Sequence, residues 1–350
     1  MKYNEKDIFR RLQEVFDDEA AREQVLDLAT GRYVVFSDQH KGQRDGADDF
    51  WLCERAYLAA LGYYLEAGYT LLALGDVEEL WECRPKKVIK AYRYVLEVEG
   101  EFYRGDRYAR VSGNHDDEWE SAASVEKYLG DFFPGITVRQ GARYKVTDGG
   151  EALGVLFLAH GHQGTTFSDR NKAIAKFFVR NVWRPIQRLF NIRSTTPAKD
   201  FVLREEHDRI MYRWAASQSK VVMISGHTHR PVFMSATHHA QLERQLVQAR
   251  KRLAASPQSR EAIESLAALR AELEWVKAQD LGGSGRTEAA DGSEKPCYFN
   301  TGCCSFSDGD VTGLEIAEGE IRLVRWPDDE GRPVAEVLAR ASLKDVFAKV

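Results

Sequence analysis

Five apolar or β-branched runs of this chain each stop at a short polar motif. Tyr33-Val34-Val35-Phe36 runs into Ser37-Asp38-Gln39-His40, and Thr70–Leu74 runs into Gly75-Asp76-Val77-Glu78-Glu79. Tyr108–Val111 leads to Gly113-Asn114-His115-Asp116. Leu153–Ala159 leads to His160-Gly161-His162, and Val221–Ile224 to Gly226-His227-Thr228-His229. Short apolar runs bounded by Gly and Asx read as buried strands. Polar groups at their ends gather along one sheet edge, where open α/β folds bind ligands. Helical stretches at about 48–67 and 85–100 alternate with these runs, which is the α/β pattern. Residues 5–28 carry helical periodicity and predict an N-terminal helix. Residues near 136–147 predict shorter antiparallel strands, and further strands are expected at 297–301, 311–316 and 320–325.

Two segments interrupt this plan, so one domain over 1–350 with two helical insertions is expected. In the first, 165–217, a basic and aromatic stretch from Arg170 to Phe190 has helical spacing, with Pro185 as a kink or restart. Such a face can cap an anionic substrate, make peripheral contact with membrane lipid, or pack as an ordinary helix with a solvated basic side. In the second, 239–280, Leu242, Leu246 and Leu253 precede Ser256-Pro257, and Ile263, Leu266, Leu269, Leu273 and Val276 follow. That spacing predicts an αα-hairpin, a decoration on its own domain or a surface for a homo-oligomer or protein partner. Residues 281–296, polar and rich in Gly and Ser, are expected to be a flexible loop.

The balance of 49 basic against 54 acidic residues, a net −5, indicates no specific nucleic-acid partner. No apolar run is long enough to span a bilayer, and Met1–Lys6 lacks a secretory apolar core. Five cysteines without metal-finger or redox spacing fit a reducing setting. The expected location is therefore the cytoplasm, with the inner membrane face as the peripheral alternative.

The motifs hold the atoms for two metals. Asp38, His40 and His229 can hold one; Asn114, His160 and His227 can hold the other; Asp76 can bridge them with its two oxygens. This mixture of carboxylate, imidazole and amide suits Mn2+, Fe or Zn. Two carboxylates against two divalent ions leave positive charge that attracts a phosphate and lowers the pKa of a bridging water. The hydroxide so formed can attack phosphorus in line. His115, beside a ligand, can protonate the leaving oxygen, and Glu79 can orient it and keep it protonated. His162 is a substrate contact, an alternative ligand to His160, or structural. Lys41, Arg44 and Arg230 flank the motifs as phosphate contacts or plain surface charge.

Taken together, the motifs resemble the calcineurin-like metallophosphoesterase superfamily over roughly residues 31–237. Its pattern is Asp-x-His, Gly-Asp-x-x-Asp/Glu, Gly-Asn-His-Asp/Glu, a later His, and Gly-His-x-His; Asn300-Thr301-Gly302 is similar to its closing strand signal. The resemblance implies a four-layer α/β/β/α sandwich with a dinuclear site, Asp76 bridging and His115 as the catalytic histidine. Leu74–Trp81 and Gly226–Pro231 resemble the branch containing UDP-2,3-diacylglucosamine pyrophosphatases. That branch typically has Arg where this chain has His115 and Asp where it has His162, so the likeness carries the branch and not the substrate. The expected function is metal-dependent hydrolysis of a phosphodiester or pyrophosphate, on a substrate with a lipid or nucleotide group. The alternatives are a soluble phosphomonoesterase or protein phosphatase and, in another class, a non-catalytic scaffold on the same fold.

Overall fold

A computed structural model describes residues 3–19, 23–165, 201–256, 258–278, 295–328, 331 and 333–350. The chain begins with helix α1 (Glu5–Phe16), strands β1 (Gln24–Asp27) and β2 (Tyr33–Phe36), helix α2 (Glu54–Glu66) and strand β3 (Thr70–Leu74). Helices α3 (Pro85–Ala91) and α4 (Arg93–Arg104), strand β4 (Tyr108–Val111), helix α5 (Ala122–Leu129) and strands β5 (Gly141–Asp148) and β6 (Glu151–Ala159) follow. Next come helix α6 (Phe201–Ser217), strands β7 (Val221–Ser225), β8 (Pro231–Phe233) and β9 (Ala236–Thr237), and helices α7 (His238–Ala255) and α8 (Arg260–Ala278). Strands β10 (Tyr298–Thr301), β11 (Val311–Ala317), β12 (Glu320–Trp326) and β13 (Glu336–Ser342) and helix α9 (Leu343–Phe347) complete it.

The strands form two sheets, in the orders β13-β12-β11-β2-β3-β4 and β1-β5-β6-β7-β10-β8-β9. Alternation along each strand decides what each face meets, because successive side chains point to opposite sides. Val35, Leu72 and Leu74 of the first sheet meet Leu156, Leu158, Val222 and Ile224 of the second in a shared apolar layer. Val34, Phe36 and Leu71 turn the other way, onto α2, α4 and α5. Phe157, Ala159, Val221 and Met223 likewise pack on α1 and α6. The result is the α/β/β/α sandwich.

Register places the motifs. Phe36 pairs with Ala73, and Leu74 with Val111, in parallel ladders. The loops after β2, β3 and β4 therefore leave the sheet side by side. In the second sheet Leu158 pairs with Ile224, which brings the turns after β6 and β7 together.

Several boundaries differ from the sequence expectation. The N-terminal helix ends at Phe16 rather than near 28, and Gln24–Asp27 pairs in parallel with β5. The 85–100 stretch is two helices that part at Tyr92 and run on to Arg104. Within 239–280, α7 and α8 face each other through Leu246, Ala249 and Leu266, and rest on the body through Leu242, Val276, Cys303 and Phe306. The basic stretch Arg170–Phe190 and most of the 281–296 loop lie outside the described residues. No described helix is long and apolar enough to cross a membrane.

Candidate metal centre

All seven proposed ligands come from the turns that end five strands. Five of them, Asp38, His40, Asp76, His227 and His229, adopt left-handed backbone, with φ of +52°, +50°, +51°, +69° and +57°. Side chains with a Cβ rarely stay there, and each such residue costs on the order of 1 kcal/mol. The strain is held by neighbouring backbone. Asp38 N–H donates to Gly75 O at 3.1 Å, His40 N–H to Asp76 O at 2.8 Å and Lys41 N–H to Val77 O at 3.0 Å, so the turns after β2 and β3 remain laced together. Two glycines permit this closeness. A Cβ on Gly75, itself at φ +80°, would lie 2.6 Å from the His160 ring, and one on Gly113 would collide with the Asp76 carboxylate.

The ligand atoms converge as three overlapping groups: Asp38, His40 and His229; His40, Asp76 and His115; and Asp76, His160 and His227. Asp38 Oδ1 is 3.2 Å from His229 Nε2 and 3.8 Å from His40 Nε2. Asp76 Oδ2 is 3.1 Å from His160 Nε2 and 3.8 Å from His40 Nε2. Asp76 belongs to two of the groups. Its Oδ1 accepts the His115 backbone N–H at 2.8 Å. His160, not His162, belongs to a convergent group; the His162 ring is buried with its centroid 5.5 Å from that of His160.

Outer contacts set which ring nitrogen faces inward. His160 Nδ1–H donates to Leu74 O at 2.9 Å, and His40 Nδ1–H to Glu79 Oε2 at 3.2 Å. A carbonyl or carboxylate can only accept, so in the neutral ring each Nε2 offers its lone pair to the site. Asn114 Oδ1 is buried without a hydrogen-bond partner, and His160 Nε2 faces the Asp76 carboxylate at 3.1 Å. A buried acceptor such as the Asn114 oxygen is costly unless something else satisfies it. With the carboxylates and imidazoles beside it, it fits a pair of divalent cations.

The electrostatics agree with that fit. Burial alone would raise the Asp38 pKa, but His229 and His160 outweigh it and hold the carboxyl well below its usual range. Burial would lower His160, but Asp76 and Asp38 push it up to about 9. His227 goes the other way: burial, with His207 and His160 nearby, holds it well below the ordinary histidine value. Around His115, burial is outweighed by Glu79 and Asp76, which raise its pKa. Its Nδ1 lies 2.7 Å from Glu79 Oε2, and its ring stands 4.7 Å from His40 and 5.5 Å from Trp81. Glu79 thus serves two imidazoles, His40 and His115, where the sequence pattern points to one.

Other residues stand behind the ligands: Asp116 and Asn300 lie within the sequence motifs with no role assigned there, and the sequence pattern does not single out His207 and Asp208. Asp116 accepts from Gly113 N–H at 2.6 Å and Val77 N–H at 2.9 Å, tying the turns after β3 and β4. Asn300 Nδ2 donates to Gly226 O at 2.7 Å. His207 Nε2–H donates to Gly161 O at 2.8 Å, and Asp208 accepts from Thr228 Oγ1 at 3.0 Å. Lys41 is neither a phosphate contact nor surface charge: it is fully buried, 2.5 Å from Glu99 Oε1. Arg230 is buried 3.9 Å from Asp208 Oδ2, whereas Arg44 is exposed, pairs with Glu54 and lies over Tyr92.

The two sheets and their flanking helices form a mixed α/β fold, and its clustered carboxylates and imidazoles make residue groups able to bind metal. Two solved structures are similar to it at low identity. One is vacuolar protein sorting 29 from Cryptosporidium parvum, with TM-score 0.34 and 10% identity, covering 89% of this chain and 98% of that one. The other is a single mutant of Vps29 from Entamoeba histolytica, with TM-score 0.31 and 13% identity, covering 87% and 97%. No protein-family model and no curated protein matches the chain.

Proposed function

We propose that this chain is a metal-dependent phosphoesterase that hydrolyses a phosphodiester or pyrophosphate bond. The observation that carries the reading is the chain of three carboxylate–imidazole groups linked through His40 and Asp76, with the buried Asn114 Oδ1 left without a hydrogen-bond partner. In this reading Asp38, His40 and His229 hold one divalent cation, Asn114, His160 and His227 hold a second, and Asp76 is shared. Bound there, two such cations would neutralise phosphoryl oxygens and activate water for attack on phosphorus. The chain's own task is proton delivery. Glu79 raises the His115 pKa and lies 2.7 Å from its Nδ1, which orients the ring to donate a proton to the leaving oxygen as its bond to phosphorus breaks. A leaving group that needs this proton is an alkoxide or a phosphate of a condensed ester.

The test is hydrolysis of bis(p-nitrophenyl) phosphate by protein stripped of metal and reloaded with Mn2+, beside Asp76→Asn. Metal-dependent turnover is expected, falling at least about 100-fold in the variant, as when a transition-state charge stabiliser is removed. Full activity in Asp76→Asn, or none in the wild type with Mn2+ bound, would overturn the reading.

A further inference from the structure

One helical turn of α6 touches two of the ligand-bearing turns. Consecutive residues on a helix diverge by about 100°, and His207 and Asp208 use that divergence to reach different neighbours. His207 Nε2–H donates to Gly161 O, the carbonyl directly after His160. Gly161 itself lies at φ +110°, which few residues other than glycine adopt. The His207 ring also stands 5.1 Å from the His227 ring and meets the edge of Tyr3 at 5.3 Å. Asp208 accepts from Thr228 Oγ1 at 3.0 Å and from Tyr298 O–H at 2.9 Å, and Thr228 lies between His227 and His229. Both acidic and imidazole side chains are buried, at 7% and 1% exposure. Gly226 N–H donates to His160 O at 3.0 Å, so the two turns that rest on α6 also hold each other.

An ordinary explanation is that a buried histidine has simply found a partner. The geometry asks for more. The His207 bond holds the Gly161–His162 peptide, one residue past His160, and the same ring packs against His227. It therefore bears on both imidazoles proposed for one cation. We propose that His207 is a positioning residue that sets the affinity of the cation position formed by Asn114, His160 and His227, with Asp208 anchoring α6 so that the bond is rigidly delivered. This rests on the two-cation reading above.

Outer partners of metal-binding histidines change affinity by about 10- to 100-fold when removed. The experiment is calorimetric titration of the metal-free full chain with Mn2+, alongside melting of the metal-free protein. In His207→Phe, which keeps a ring but has no donor, one of two Mn2+ affinities is expected to drop at least about tenfold while the other stays. His207→Gln, whose Nε2 can still donate to Gly161 O, is expected to recover most of it. Phe behaving as wild type, or Gln losing as much as Phe, overturns the proposal, because a packing role would favour Phe. If His207→Phe fails to fold by the melting control, His207→Leu is the second donor-free variant and is judged by the same outcomes. A wild type that binds fewer than two Mn2+ overturns the two-cation reading itself, before any variant is compared.

Discussion

At the scale of single residues, the site depends on one carboxylate that serves two rings. Glu79 Oε2 lies 3.2 Å from His40 Nδ1 and 2.7 Å from His115 Nδ1. A ligand and the proposed acid are thereby oriented by the same group. His115→Ala is expected to cost about 100-fold or more on an alkyl phosphodiester, whose leaving oxygen needs a proton, and about tenfold or less on a p-nitrophenyl ester. Equal losses on both substrates would reject the acid role. The seven ligand candidates, six of them in the convergent groups, and His115 were legible because each sits within a few residues of an apolar run, so local pattern alone exposes it. Lys41 and His207 were not. Lys41 looks like a loop cation until Glu99, 58 residues away, comes beside it in the fold. His207 acts on a carbonyl 46 residues away, in a helix whose own pattern says nothing about that distance.

At the scale of elements, parallel register turns separate motifs into one site. The strand ends were readable because β2, β3, β7 and the last four residues of β6 are buried on both faces and so appear as continuous apolar runs. Strands β1 and β13 are edges, with exposed and intermediate positions and no such run, which is why Gln24–Asp27 reads as helical in the sequence and Glu336–Ser342 gives no signal. The α7–α8 pair attaches through a small apolar contact in which Leu242 is 1% exposed, against Val276, Cys303 and Phe306. Leu242→Ala should therefore lower unfolding stability by roughly 2–4 kcal/mol if the pair unfolds with the rest. Denaturant melts followed by far-ultraviolet dichroism can check this. An unchanged main transition with a separate early helical loss would mean that the pair folds on its own.

At the scale of the whole molecule, metal, proton and fold are linked. His160 has its pKa pushed up to about 9 by Asp76 and Asp38 against the effect of burial, from an ordinary 6.5. A folded value above the unfolded one means that its protonated ring stabilises the metal-free fold fully below about pH 6.5, and that this contribution is lost as pH rises through about 9. Divalent cations must displace that proton. Mn2+ loading at pH 7 is therefore expected to release protons, and affinity to rise between pH 7 and 9. Calorimetry in buffers of different ionisation enthalpy reads this directly; identical heats in all buffers would dismiss it. The left-handed backbone at Asp38, His40, Asp76, His227 and His229 has a consequence for any substitution there. Gly takes that conformation without strain, so Gly at any of these positions would relax its loop while removing a ligand candidate. In the proposed reading, metal binding and a relaxed backbone therefore pull against each other at these five residues.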